Sequence, residues 1–213
     1  MKNALRRRIP NMVTVLRLFL AAGFFAALSG FRFPLEGTFW GNFSIGLFVL
    51  AAATDALDGY LARRWHVESM FGRIMDPFCD KVLVLGAFIY LAGPRFVAPD
   101  WLADDRLLTM ASGVYPWMVV IIIARELLVT GIRDVLESMG ESGGAKWAGK
   151  AKMILQSIAV PIVLFIVVNL RPDQHAWAMT IVNILIWAML IITVWSGIPY
   201  VSGLRAVLRR KGT

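Results

Sequence analysis

Between residues 55 and 80 the chain carries Asp55, Asp58, Gly59, Ala62, Arg63, Gly72, Asp76 and Asp80 within strongly apolar surroundings. An aspartate at the centre of a membrane helix costs roughly 3 kcal/mol on insertion scales, so carboxylates retained there point to a function. Asp55 and Asp58 are spaced i,i+3, and Asp76 and Asp80 i,i+4, so each pair projects from one helical face. Counted outward from a short polar turn near Val67, Asp58 and Asp76 share one level, and Asp55 and Asp80 lie about one helical turn deeper. Antiparallel neighbours would present the four as two tiers of carboxylate. Hard oxygen donors in that number suit magnesium or manganese, and two such ions about 4 Å apart can clamp a phosphoryl group. The cations would in turn neutralise the carboxylates.

The elements that must hold this cluster are apolar helices. Of 213 residues, 58% are hydrophobic and 8 are tryptophan, too apolar a make-up for a soluble domain of this size. Stretches near 11–29, 39–60, 71–91, 115–132, 154–170 and 177–199 each approach the roughly 20 residues needed to span a bilayer. The expected fold is therefore an all-α membrane protein, a bundle of six transmembrane helices over residues 11–208. A basic interfacial segment at 1–10 and a basic tail at 209–213 complete it. The first apolar stretch is too long for a signal peptide and shows no small-residue cleavage site after Ser29. The single cysteine, Cys79, excludes an intramolecular disulfide framework and a multi-cysteine zinc site.

The net charge of +8 does not mark a nucleic-acid partner, because the basic residues alternate with the spans. Arg32, Arg95, Arg106 and Arg171 fall on one side. Lys2 and Arg6 to Arg8, the Arg63/Arg64/Arg73 turn, the Lys146/Lys150/Lys152 segment and the tail from Arg205 to Lys211 share the other. Both termini and the aspartate site are expected to face the cytoplasm. The loop at 93–113 reads as a polar cap, and the glycine-rich stretch at 137–149 as a flexible connection. Gly86, Gly131, Gly149, Gly197 and Gly203 are expected where helices pack closely.

Gly59 and Ala62 remove side-chain bulk from the carboxylate helix, and Gly72 does so at the start of the next, leaving room for a planar ligand. Arg63, at the end of that helix, can reach phosphate oxygens. Taken alone, Arg63 and Arg64 also read as snorkelling anchors. The aspartates alone also fit a proton relay or an ion-coupled transport site. Cys79 reads as a small packing residue, thiolate being too soft a ligand for magnesium.

Together these residues make D-x2-D-G-x2-A-R-x8-G-x3-D-x3-D, and at every fixed position the segment resembles the signature of the CDP-alcohol phosphatidyltransferases. The resemblance implies a six-helix membrane bundle, commonly a homodimer. It implies that Asp55, Asp58, Asp76 and Asp80 hold magnesium or manganese, two ions, on the diphosphate of a CDP-linked lipid. It further implies that Asp58, Gly59, Ala62, Arg63 and Gly72 surround the cytidine nucleotide, and that Asp80 is the general base for the incoming hydroxyl. An aspartate ordinarily titrates near 3.9, so that role needs the alcohol closely positioned and polarised.

The acceptor must be read outside the signature. In Pro10-Asn11-x2-Thr14-x2-Arg17, polar residues recur every three positions. In Arg125-Glu126-x4-Gly131-x-Arg133, the first arginine lies about two turns inside the second, too deep for snorkelling alone. Glu126 there reads equally as a structural partner of a basic neighbour or as a catalytic group. Lys146-x3-Lys150-Ala151-Lys152, followed by Gln156, adds three more cations. Taken singly, such runs are topology signals. Together they form an anion trap, so the attacking alcohol is expected to carry a phosphate.

These segments resemble the members of the same family whose acceptor is glycerol 3-phosphate. The implied acceptor pocket is Thr14, Arg17, Arg125, Arg133, Lys150 and Lys152. The implied reaction joins CDP-diacylglycerol and sn-glycerol 3-phosphate to give phosphatidylglycerol phosphate and CMP. Inositol phosphate or phosphatidylglycerol are the alternative acceptors, the latter making a cardiolipin synthase. Met153 stands where the family usually has threonine, and Cys79 where alanine is common before the last aspartate. Membrane lipids and a second copy of the chain are the expected partners. A bacterial inner membrane is the expected location, since no transit peptide is evident.

Overall fold

The computed structural model describes residues 2–65, 70–98, 110–141, 146–172 and 174–212. The side chains of 1–11, 56–74, 76, 142–146, 148 and 211 lie outside that description. Seven α-helices follow in order: α1 (Lys2–Ser29), α2 (Thr38–Trp65), α3 (Met70–Leu91), α4 (Pro116–Ser138), α5 (Lys146–Asn169), α6 (Ala176–Trp195) and α7 (Ile198–Lys211). Among the described residues there are no strands, only the isolated bridges Arg32–Glu36 and Val97–Met110.

Three stretches, Met12–Ser29, Gly149–Asn169 and Ala176–Arg210, are long and apolar enough to cross a membrane. Phe19, Phe39, Val120, Leu127, Ile184 and Ile191 point outward and are more than half exposed. Helices apolar on both their packed and their outer faces are what a lipid environment calls for. The chain is an integral membrane protein by this composition.

Six spans were expected, and the helices depart from that outline at both ends. No helix boundary falls at Pro10, because α1 continues from Lys2 through to Ser29. The last expected span, 177–199, is instead divided: α6 ends at Trp195 and α7 starts at Ile198. Pro199 supplies no N–H to the carbonyl four residues earlier, at Trp195, which favours an interruption at that point. Beyond it, α7 lays Tyr200, Val201, Leu204 and Val207 against Val129, Ile132 and Leu136 of α4.

Near the middle of α2, Phe24 meets Phe48 edge-on with centroids 5.4 Å apart, and at the end of the bundle away from the aspartates Phe31 meets Phe96 at 5.7 Å. The expected polar cap at 93–113 is only part of the picture, since Phe96, Ala98, Met110, Ala111 and Ser112 are buried. Their backbone is satisfied locally: Phe33 N–H donates to Arg95 O at 2.9 Å, Ala111 N–H to Phe96 O at 2.8 Å, and Ser112 Oγ to Leu91 O at 2.6 Å. The middle of that loop, 99–109, lies outside the described residues.

The glycine-rich connection is shorter than expected, as α4 runs to Ser138 and α5 begins at Lys146. Gly140 takes φ 76°, and Glu141 N–H reaches back to Leu136 O at 3.0 Å. A left-handed glycine just past the helix is the usual way to close its last turn. Of the expected packing glycines, Gly86 is the tightest: a Cβ there would lie 2.3 Å from Phe25 Cζ. A Cβ at Gly149 would lie 3.2 Å from the Tyr200 hydroxyl, and one at Gly197 would lie 3.6 Å from Arg125 Cγ. Gly131 and Gly203 do not fit the expectation, as no described atom lies within 4 Å of a Cβ at either. A small residue permits close approach but does not by itself bring a neighbour.

Candidate active site

Asp55 near the end of α2 and Asp80 in the middle of α3 line one cavity of about 240 Å³ together with Arg17 of α1 and Met153 and Ser157 of α5. Phe48, Ala51, Leu83 and Val84 supply its apolar wall. One carboxylate from each of two consecutive helices thus lines a shared space. Asp58, Gly59, Ala62 and Arg63 lie on α2, and Gly72 and Asp76 on α3. Their side chains, and so the shallower tier and the expected nucleotide contacts, lie outside the described residues. Pro77 lies inside α3 between Asp76 and Asp80. Its missing N–H leaves the carbonyl at Arg73 without a helical donor, at the level of the carboxylates.

Arg17 is 1% exposed and its Nη1 lies 2.7 Å from Asp55 Oδ1, while the aspartate side chain is 38% exposed. One face of Asp55 is therefore held by a buried guanidinium and the other is open to the cavity. Thr14, one turn earlier on α1, is 2% exposed. Among the described residues, the charges that act on Asp80 include those of Asp55, Lys152, Arg17 and Glu126. Asp80 is thus the point at which the carboxylate side of the site meets the basic side.

On that basic side, Glu126 Oε1 accepts from Arg125 Nη1 and from Lys152 Nζ, each at 2.6 Å. Arg125 Nη2 donates to Ser196 Oγ at 2.7 Å. These residues are all buried, as is Gln156, whose Nε2 donates to Thr193 Oγ1 at 3.2 Å. Of the expected acceptor residues, Arg17 lines the cavity with Asp80, Lys152 is near enough for its charge to act on Asp80, and Arg125 is joined to Lys152 through Glu126. Two others sit at the margin. Arg133 is exposed, with its guanidinium 5.9 Å from the Tyr200 ring centroid and Nη2 3.5 Å from the hydroxyl, and Lys150 is exposed.

Charge type and depth in the sequence located the cations, yet Ser196, Thr193 and Tyr200 were not anticipated. The available signal was the Ser-Gly-x-Pro run at 196–199, whose helix-breaking residues place a hydroxyl and a turn at the end of an apolar span. Lys81, beside Asp80, was also missed, and its Nζ donates to Thr130 Oγ1 on α4 at 2.7 Å.

Among the described residues no three His, Cys, Asp or Glu side chains gather closely enough to hold a metal ion. Two of the four aspartates meet at the cavity, and the other two have side chains outside the description. The donor chemistry present, carboxylate oxygens with no thiolate or imidazole among the described lining residues, fits a hard divalent cation. Cys79 is fully buried, in keeping with a packing role.

The chain belongs to the CDP-alcohol phosphatidyltransferase family, whose sequence model matches residues 7–195. It is 32% identical over 208 residues to the CDP-diacylglycerol–glycerol-3-phosphate 3-phosphatidyltransferase of Bacillus subtilis, covering 91% of this chain and 93% of that protein. The protein of the same name from Escherichia coli K12 is 31% identical over 203 residues, covering 94% and 96%. That of Cereibacter sphaeroides is 35% identical over 158 residues, and there the match takes in 70% of this chain and 62% of the relative's length.

Proposed function

We propose that the chain transfers the phosphatidyl group of CDP-diacylglycerol to sn-glycerol 3-phosphate, giving phosphatidylglycerol phosphate and CMP. The observation that carries this reading is the position of Asp80. It shares the cavity with a second carboxylate, and the charges of Lys152 and Glu126, two members of the Arg125–Glu126–Lys152 cluster, act on it. The near full-length similarity to two proteins named for this reaction supports the choice of acceptor.

In this reading the glycerol 1-hydroxyl lies beside Asp80, which accepts its proton as the oxygen attacks the lipid-side phosphorus. The bond from that phosphorus to the bridging oxygen breaks, and its electron pair leaves with CMP. Asp55, Asp58, Asp76 and Asp80 would hold two magnesium or manganese ions, which supply charge neutralisation to the diphosphate and to departing CMP. Arg17 keeps Asp55 oriented, its guanidinium being buried against the carboxylate. Asp58, Gly59, Ala62, Arg63 and Gly72 surround the cytidine nucleotide. The cations of α4 and α5 bind the acceptor's phosphate and bring its hydroxyl into line, so that the reaction between two bound partners proceeds as an intramolecular one. The lipid tails remain in the bilayer beside the outward apolar faces.

The same reading has six spans, with both termini and the cavity on the cytoplasmic side of a bacterial inner membrane, and a homodimeric assembly. The alternation of basic loops supports the orientation. The test is lipid product formation by purified protein with CDP-diacylglycerol and magnesium, offered glycerol 3-phosphate, inositol phosphate or phosphatidylglycerol separately. Product with glycerol 3-phosphate alone is expected. Product only with another alcohol would keep the aspartate chemistry and discard the acceptor, and no CMP release with any would return the cluster to ion transport.

A further inference from the structure

Glu126 is a buried anion bonded to two buried cations from different helices. Its Oε1 holds Arg125 Nη1 and Lys152 Nζ at 2.6 Å each, and Ser196, at the α6–α7 junction, holds the far end of the guanidinium at 2.7 Å. Exposure of Arg125, Glu126, Lys152 and Ser196 is 9%, 8%, 8% and 0%. Burial of three charges is not justified by stability, since apolar residues of like volume commonly serve as well or better. Without the carboxylate, two like charges would repel in a medium of low dielectric constant. With it, an arginine of α4 and a lysine of α5 are fixed side by side, carrying one net positive charge.

Among the described residues, both cations retain donors for another anion. An ammonium has three and a guanidinium five, and the bonds to Glu126 and Ser196 use one on Lys152 and two on Arg125. Arg125 Nε is buried with no hydrogen-bond partner among the described residues. A buried donor left without a partner is uncommon and calls for an explanation, of which a bound water or ligand atom is one. Ser196 Oγ is itself directed by its own bond to Thr193 O at 2.8 Å, which leaves its lone pairs for Arg125.

We infer that Glu126 is a positioning residue for the acceptor: it clamps Arg125 and Lys152 into a preformed fork that receives the phosphate of glycerol 3-phosphate, with Ser196 steadying the arginine. The inference rests on the reaction proposed above. A fork assembled before substrate arrives spares the ordering of two long side chains during binding, so its loss falls on acceptor affinity.

Steady-state kinetics of the purified, full-length protein test it, with each substrate varied in turn. Loss of one charge-assisted contact corresponds to roughly 10-fold or more in affinity. Glu126→Gln is therefore expected to raise the KM for glycerol 3-phosphate by about that factor, leaving kcat and the KM for CDP-diacylglycerol within about three-fold. Glu126→Asp restores part of the loss, and Ser196→Ala gives a smaller rise in the same constant. An unchanged KM for glycerol 3-phosphate in Glu126→Gln, or equal deterioration toward both substrates, overturns the inference. If Glu126→Gln does not fold, Ser196→Ala decides in the same way. Wild-type protein that makes no product with glycerol 3-phosphate but does so with inositol phosphate overturns the acceptor reading instead. The fork then stands if Glu126→Gln raises the KM for that phosphate, and falls if it does not.

Discussion

Asp55 and Glu126 are both carboxylates in a membrane bundle, and they are handled in opposite ways. Asp55 has one guanidinium at 2.7 Å and a side chain 38% exposed to a cavity, whereas Glu126 is 8% exposed and carries two cations on a single oxygen. The first keeps acceptor capacity for an incoming cation. The second is committed to partners within the protein. A buried acidic residue is therefore not informative by type alone; the openness of its other face separates a group that binds from a group that arranges.

The most severe way to break the comparison is to remove charge on the open side. Asp80→Asn and, separately, Asp55→Asn are expected to lower CMP release from CDP-diacylglycerol by about 1,000-fold or more, the scale typical of losing a group that acts in the transition state. Chelation of divalent ions from the wild-type protein is expected to give a comparable loss, reversed by magnesium or manganese. Activity that survives chelation undiminished would remove the metal from the reading.

A smaller loss is expected on the closed side. Lys152→Ala leaves Glu126 with one partner and is expected to raise the KM for glycerol 3-phosphate by about 10- to 100-fold, in line with one or two charge-assisted bonds. It is also expected to lower the melting temperature, because a buried pair loses one member. Arg133→Ala and Lys150→Ala sharpen the contrast. Both side chains are exposed, so each is expected to change that KM by only about two- to five-fold, the range of a solvent-screened charge. Effects as large as that of Lys152→Ala would mean that the acceptor is held further out, toward α7.

The smallest effect on chemistry is expected far from Asp80. Gly86→Ala pushes a methyl against the Phe25 ring and is expected to destabilise the bundle by about 1–3 kcal/mol. Gly131→Ala meets no described atom and is expected to be within about 0.5 kcal/mol of neutral, or slightly stabilising in a helix. Thermal unfolding in detergent, followed alongside activity per folded molecule, separates the two.

Much of this was legible from residue spacing. Carboxylate periodicity identified α2 and α3 as partners, because side-chain direction in a helix follows directly from residue number. The depth of Arg125 relative to Arg133 marked it as more than an anchor, and it is the one that is buried. What spacing could not supply is which cation meets which anion across helices. The Arg17–Asp55 and Lys152–Glu126 pairs depend on the rotation and relative height of helices distant in sequence. Nor did composition separate α7 from α6, since an apolar run continues through Ser196 and Gly197 and only Pro199 signals the change. Glycine was a poor guide for a related reason. Gly86 and Gly131 look alike in sequence, and among the described residues only Gly86 has an aromatic ring against it.

The contact between Phe25 and Gly86 also works as a datum for height. Along α1, Arg17 lies eight residues before Phe25, and along α3 Asp80 lies six before Gly86, distances of about 12 and 9 Å at helical rise. With the ring seated where no Cβ intervenes, the two helices have one vertical registration. Sliding α1 by a single turn, about 5.4 Å, would carry Arg17 past the level of Asp80 and out of reach of Asp55. The alignment of the chemistry is thus gauged by a hydrogen atom in place of a methyl group about 9 Å further along α3.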